Sequence, residues 1–364
     1  MMDDALPQSD QLSAAKHPRE TYTLFGQAQA ENQFLDAYTS GRLHHALLLS
    51  GPKGVGKATL AWRIARFVLG QGGDKAIENL DISPEDPISR RIEALGEPRL
   101  NLIRRAYDQD KKKIKTQITV DEIRALKNFF QMSAADGGWR VAIIDAADDL
   151  NKSAANALLK LLEEPPEKCL FLLVAHQPAK VLPTIRSRCA QISLRKLEAD
   201  ILAEALTHQG RTLGFDANYL TELADGSLGS AIELLEQDGL AIYAKVAKIF
   251  ADIPKMDRSD VVNLANECAG AGREAHYDMV LRLIFLYLSR LAKFGAVQPS
   301  SFQEAAPEEG RHFARLAPHS KSAQKWASLI SELTTKVDYA RTVNLDPASV
   351  ILDMFLEINK TAAN

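Results

Sequence analysis

The sequence predicts an α/β domain followed by all-α units, and three observations carry that prediction. Four short apolar runs, Ala46–Ser50, Leu100–Ile103, Val141–Ile144 and Leu170–Val174, alternate with segments of helical periodicity. Strands that alternate with helices need crossover connections, which place them in a parallel sheet covered on both faces. A glycine-rich stretch, Gly51–Lys57, joins the first run directly to a helical pattern. Beyond about Leu197 the strand-like runs stop and only helical patterns remain.

Taken in chain order, residues 1–20 are polar and read as a flexible tail. Phe25–Tyr38 reads as a short amphipathic helix, and Ala46–Ser50 as a strand that ends at glycine. In Lys57–Leu69 the apolar residues Leu60, Ile64 and Val68 recur every four positions, as one helix face requires. Thr119-Val-Asp-Glu122 has the form of a capping box opening a helix Val120–Met132. Ser153–Glu164 is a helix stopped by Pro165-Pro166. These elements make an α/β domain over 21–196. Residues 197–237 hold three short helices, with a glycine turn, Gly226–Gly229, before the last. Residues 238–364 form the final helical unit, with a Pro/Ser/Glu-rich loop at Gln298–Glu309. Its last helix opens at Asp346-Pro347, where aspartate can cap and proline suits the first helical position. Tyr277–Phe294 holds more apolar residues than one core-facing stripe needs, so it is either an oligomerisation surface or the core of its own domain.

Composition narrows the class. At roughly 100–200 residues per domain, 364 residues make two or three domains, and 46% hydrophobic with 25% charged is the balance of a globular protein. With 44 Lys+Arg against 47 Asp+Glu, the net charge of −3 excludes a bulk polycation but not a local basic patch. The run Arg104–Lys115 is such a patch, with a local net charge of +4. It is either a phosphate-contacting surface or a solvated hairpin or loop. Three widely spaced cysteines, Cys169, Cys189 and Cys268, suit a reducing compartment and argue against a cysteine zinc site. Met1–Glu20 lacks the apolar centre of a signal peptide, and Leu283–Leu288, between Arg282 and Arg290, is too short to span a bilayer. A cytoplasmic protein with no membrane partner is expected.

The strongest chemical signal is Gly51-Pro-Lys-Gly54-Val-Gly56-Lys57-Ala58, which resembles the P-loop (Walker A) pattern. Glycines let backbone N–H groups wrap phosphate oxygens, the lysine reaches the β/γ-phosphates, and a helix N-terminus behind them adds partial positive charge. The strand–helix context is the one the motif requires. Ala58 stands where a Mg²⁺-binding hydroxyl is expected. Thr59 lies one residue on, about 100° around the helix, and is a poor substitute. Val141-Ala-Ile-Ile-Asp145-Ala146 resembles Walker B, with Asp145 beside the metal position; the alternative is an aspartate that caps the next turn. The nucleotide-binding candidates are therefore Gly51, Gly54, Gly56, Lys57, Thr59 and Asp145.

Three blocks in order make the resemblance specific: Asn156-Ala-Leu-Leu-Lys-Leu-Leu-Glu-Glu-Pro-Pro166, then Phe171-Leu-Leu-Val174, then Ser187-Arg188-Cys189. Together they resemble the clamp-loader branch of the AAA+ proteins. The resemblance implies a P-loop NTPase-like parallel-sheet domain, a small helical lid and a C-terminal helical collar. Val343-Asn-Leu-Asp-Pro347 is similar to the start of the last collar helix. It implies that Arg188 is an arginine finger acting in trans on the γ-phosphate of ATP held by a neighbouring subunit, a task that suits an always-charged, forked guanidinium. It also implies hetero-oligomeric partners (gamma/tau and delta subunits), a sliding clamp, and primed DNA met through the assembly. The family's active motors carry a glutamate where this chain has Ala146, an arginine where it has Gly229, and Thr or Asn in the stretch Val174-Ala-His-Gln177. His176 is the polar residue left there. ATP or ADP bound without efficient hydrolysis is the expected cofactor state. No zinc is expected, because Gln71–Glu97 lacks the four cysteines that many relatives carry. Loss of the motor parts with retention of Arg188 implies a stator. The competing readings are an active motor subunit and a chain that keeps ATP as a static structural ligand.

Overall fold

A computed structural model describes residues 6–12, 14–70, 79–131, 137–212, 214 and 217–363. Packing divides the chain into one unit of Met1–Thr212 with Gly226–Ser230 and a second of Leu213–Asp225 with Ala231–Asn364.

The first unit contains α1 (Ala28–Thr39), β1 (Ala46–Ser50), α2 (Lys57–Gly70), α3 (Pro87–Glu93), β2 (Leu100–Arg104), the short pair β3 (Tyr107–Asp108) and β4 (Lys113–Ile114), and α4 (Val120–Gln131). It continues through β5 (Arg140–Asp145), α5 (Lys152–Glu163), β6 (Cys169–Ala175), α6 (Pro183–Arg186), β7 (Ala190–Ser193) and α7 (Ala199–His208). The large sheet is parallel throughout, in the order β2-β5-β6-β1-β7. Every residue of β1 and β6 is buried, as strands covered on both faces require. Leu47 and Leu49 face a core built with α1 and α2, while Ala46 and Leu48 face one built with α4 and α5. Register sets Asp145 level with Arg104 on one side and Val174 on the other, and Ser50 level with Ala175 and Ser193. These ends form the edge where open parallel sheets bind ligands.

The four apolar runs are β1, β2, β5 and β6. The edge strand β7 escapes a search for apolar runs because only Ile192 of its four residues is buried. The helix foreseen over Val120–Met132 is α4, with Met132 outside the described residues. The Glu122 carboxylate accepts the Thr119 N–H at 2.9 Å, one half of the expected capping box.

Residues 6–12 and 14–20 correct the reading of 1–20 as a flexible tail. His17 is fully buried, edge-on to Trp62 at 6.0 Å. The buried arginines of α2 hold the stretch that follows: Arg66 donates to the Arg19 carbonyl and lies 4.2 Å over the Tyr22 ring, and Arg63 donates to the Tyr22 carbonyl.

The second unit holds α8 (Ala217–Ala224), most of α9 (Leu228–Glu236), α10 (Gly239–Asp252), α11 (Arg258–Glu267), α12 (Glu274–Val297), α13 (Glu309–Leu316), α14 (Ser320–Thr342) and α15 (Pro347–Ala363). Asp346 caps α15, its Oδ2 accepting the Ser349 N–H at 3.0 Å. The apolar-rich helix is core: Val280, Leu283, Ile284, Tyr287, Leu288 and Leu291 of α12 are all completely buried. Its reading as an oligomerisation surface is corrected accordingly. Among the described residues no helix is long and apolar enough to cross a membrane.

One buried charge network organises this unit. Glu309, fully buried, pairs with Arg290 at 2.9 Å, accepts the Ala305 N–H at 2.7 Å and accepts the Tyr243 hydroxyl; Arg290 also reaches Glu222 at 2.5 Å. Removing one member strands the others in low dielectric. Glu309→Ala is expected to lower unfolding free energy by about 3 kcal/mol or more, read from urea denaturation of the full chain. The isosteric Glu309→Gln should lose less, because it leaves no cavity and keeps one of the two acceptor oxygens.

Candidate nucleotide site

The turn between β1 and α2 has the backbone of a phosphate cradle. Gly51, Gly54 and Gly56 have φ of 143°, 79° and 101°, values that an L side chain rarely adopts. All three are also crowded: a Cβ on Gly51 would lie 2.5 Å from the Leu194 carbonyl oxygen, one on Gly54 would strike Ser227 Oγ, and one on Gly56 would lie 2.5 Å from Leu24 Cδ1. Gln27 staples the turn to the sheet, its Nε2 donating to the Val55 and Arg195 carbonyls while its Oε1 accepts the Arg195 N–H.

The cradle is closed on itself. Lys57 is buried, and its Nζ donates to the Gly51 and Pro52 carbonyls at 2.7 and 2.5 Å. The Gly229 N–H donates to the Gly54 carbonyl at 3.0 Å, and Ser227 Oγ donates to the Lys53 carbonyl at 2.8 Å. A Cβ on Gly229 would stand 2.9 Å from Gly54 Cα, so no arginine fits at this position while the two backbones touch. Ala58 and Thr59 lie half-buried in the first turn of α2.

Asp145 ends β5, buried and within reach of Lys57's charge. Burial, aided by Asp10, Asp149 and Asp148, pushes its carboxyl up to about 7 against the pull of Lys57. Burial also brings Lys57 down to about 8, with Asp145 and Asp148 opposing. His176 Nε2 stands 3.9 Å from Asp145 Oδ1; burial and Lys57 lower its pKa to about 4, which keeps the ring neutral. The two carboxylates after Ala146 are already engaged. Asp148 accepts the His176 and Gln177 N–H groups at 2.9 and 3.2 Å, and Asp149 pairs with Arg105 at 2.9 Å. Neither therefore stands in for the missing glutamate.

Arg188 lies on a different part of the unit, in the turn between α6 and β7. Ile185 and the half-buried Cys189 anchor that turn in the core beneath α5; burial pushes the Cys189 thiol up to about 12, so it stays protonated. The Arg188 guanidinium is 37% exposed, 2.8 Å from Glu163 Oε1, and donates to the Thr184 carbonyl at 3.1 Å. An ion pair this exposed contributes only ~0–1 kcal/mol and exchanges readily.

Sequence reasoning missed four contributors. Gln27 and Ser227 clamp the turn through backbone contacts that no motif spacing records. Asp10 and His17 come from the supposed tail. Asp10 Oδ1 lies 2.5 Å from Arg104 Nη1 and Oδ2 lies 3.2 Å from His17 Nε2. Burial alone would raise the Asp10 carboxyl, but His17 and Arg104 hold it below the usual carboxylate range. Arg104 and Arg105 are thus neutralised within the chain. What remains of the basic run is the exposed set Lys111, Lys112, Lys113 and Lys115, on and beside the β3–β4 hairpin. Among the described residues, no group of three or more His, Cys, Asp or Glu is placed to hold a metal ion.

Three comparisons bear on this geometry. The family described as DNA polymerase III, delta subunit, matches residues 26–198. DNA polymerase III subunit tau of Salmonella typhimurium is 28% identical over 85% of this chain and 50% of its own length. DNA polymerase III subunit delta' of Yersinia pestis is 32% identical over 64% of this chain and 66% of its own, and that of Pseudomonas aeruginosa 32% over 60% and 62%. The chain spans about half the length of the tau relative.

The raised Asp145 carboxyl makes stability depend on pH. Between its unfolded value near 4 and its folded value of about 7, the native chain binds more protons than the unfolded one. Its contribution is therefore full below pH 4 and is lost as pH rises to 7. Asp145→Asn should remove that fall and stabilise the chain at pH 8 by up to a few kcal/mol, at about 1.4 per pKa unit. Denaturation midpoints of both chains at pH 5 and pH 8 check this.

Proposed function

We propose, from its likeness to DNA polymerase III delta' and tau subunits, that the chain is a clamp-loader protein of the AAA+ family and its stator, a delta-prime-type subunit of a bacterial DNA polymerase III clamp loader. In this role it sits in a hetero-oligomer with gamma/tau and delta subunits in the cytoplasm. It takes part in ATP-dependent loading of a sliding clamp onto primed DNA, and does not hydrolyse ATP itself.

The observation that carries the reading is an asymmetry between two arginine-and-phosphate devices. The chain's own cradle retains Lys57 and Asp145, yet Ala58 offers no hydroxyl to Mg²⁺, Ala146 offers no carboxylate to water, and Asp148 and Asp149 are engaged elsewhere. Gly229 packs on Gly54 where a motor would present an arginine. The outward device is intact: Arg188 sits half-exposed on a core-anchored turn, held by an exchangeable pair to Glu163 and a hydrogen bond to the Thr184 carbonyl. In this proposal the α/β domain, with a lid over 197–237, presents Arg188 to the ATP of the adjacent motor subunit. There the guanidinium would offset charge developing on the transferred phosphoryl group. The helices of 238–364 would join the collar. Any ATP or ADP in the chain's own cradle would be held by Gly51, Gly54, Gly56, Lys57 and Thr59, with Asp145 beside it, and would turn over poorly. No zinc enters this reading.

MgATP turnover separates the stator from a motor. The chain alone is expected to show none. In the assembly with motor subunits, clamp and primed DNA, Arg188→Ala should slow turnover by at least about tenfold, a modest share of what an arginine finger supplies. Robust turnover by the chain alone, abolished by Lys57→Ala, would make it a gamma/tau-like motor instead.

A further inference from the structure

We propose that residues 6–12 and 14–20 are a strap that occupies the chain's own nucleotide cleft, so that nucleotide and strap compete for the same edge of the sheet.

The strap's path defines its role. At Arg19 it is bound to α2 through Arg66, and at Ala14 its carbonyl accepts from Arg211 Nη2 at 2.6 Å. Leu12 Cδ1 lies 3.2 Å from where a Cβ on Gly229 would stand, beside the Gly54 backbone. Asp10 reaches Arg104 at the end of β2, the residue in register with Asp145, and its charge is felt by the Asp145 carboxyl. Gln8 Oε1 then accepts from Arg104 Nη1 at 2.6 Å and from Arg19 Nη1 at 2.9 Å, which folds the strap back on itself. The segment therefore crosses the C-terminal ends of the strands from the phosphate cradle to the edge strand β2. That crevice is where a doubly covered parallel sheet binds its ligand.

Its anchor is built for the place. The Asp10 and His17 side chains are completely buried. His17 Nδ1 accepts the Arg19 N–H at 3.0 Å, which leaves Nε2 to carry the proton that faces Asp10. A buried carboxylate is costly unless paired, and here an arginine and a histidine pair it at the sheet edge that would otherwise meet an anionic phosphate. The cradle beneath is satisfied in the same closed state, with Lys57 turned onto its own loop and Gly229 against Gly54. Opening the cleft to nucleotide then requires Leu12 to leave Gly229 and Asp10 to leave Arg104. This inference concerns the chain's own cleft and stands whichever way the turnover assay falls.

The test is equilibrium binding of a fluorescent ATP analogue, with Mg²⁺, to the full natural chain and to the double variant Asp10→Ala/Leu12→Ala. Circular dichroism confirms that the variant is folded, and hydrogen exchange follows residues 6–20. The variant is expected to bind at least tenfold more tightly, and a further Lys57→Ala change should abolish the gain. Saturating analogue on the natural chain should also speed exchange in the strap. Equal affinities for a folded variant and the natural chain, including no binding by either, would overturn the proposal. So would nucleotide bound to the natural chain with strap protection unchanged.

Discussion

The contact between two glycine backbones, Gly54 and Gly229, governs the ligand-binding edge of the first unit. It exists because neither residue has a side chain, and a Cβ on either would fall within 3 Å of the opposing segment. The Gly229 N–H is bonded to the Gly54 carbonyl, and in the same arrangement Lys57 Nζ donates to the Gly51 and Pro52 carbonyls. Glycine at 229 therefore shapes this edge through direct backbone contact. It is the steric condition that lets the turn 226–229 close onto the loop and lets Leu12 fill the adjoining space.

The fold was largely legible in the sequence because its dominant signal is local. Strands buried on both faces must be continuous apolar runs, so β1, β5 and β6 declare themselves, and a glycine turn between strand and helix marks the cradle. Elements whose stability is long-range and polar do not. β7 is held by hydrogen bonds to β1 with one buried side chain, Ile192, and no apolar run announces it. The strap was read as tail for a related reason. Its composition is polar, but its anchor is an ion pair between residues 94 apart, Asp10 and Arg104, which no periodicity encodes. α12 shows the opposite error. An excess of apolar residues suggests an exposed patch until Phe250 and Phe313 are found packed around Tyr287, at 4.2 and 5.1 Å between ring centroids.

The site residues divide along the same line. Gly51, Gly54, Gly56 and Lys57 are candidates that spacing alone singles out, because a phosphate cradle prescribes residue types at fixed offsets, and Asp145 is a candidate from the end of an apolar run. What the spacing leaves out is state: whether the lysine faces outward, and whether the nearby carboxylates are free. Both depend on groups from elsewhere in the chain. Asp148 is taken by the backbone after β6, Asp149 by Arg105, and the field around Asp145 by Asp10.

Charge placement ties these observations together. Asp145, Asp148, Asp149 and Asp10 crowd one edge; Arg104 pairs with Asp10 and Arg105 with Asp149, and the charge of Lys57 acts on Asp145. In low dielectric such pairs resist rearrangement, because separating one leaves an uncompensated charge. Arg188 is under no such restraint: its partner Glu163 is half-exposed, and solvent can replace that partner at little cost. These charges are thus held at the closed cleft, while Arg188 can be re-paired on a core-anchored turn.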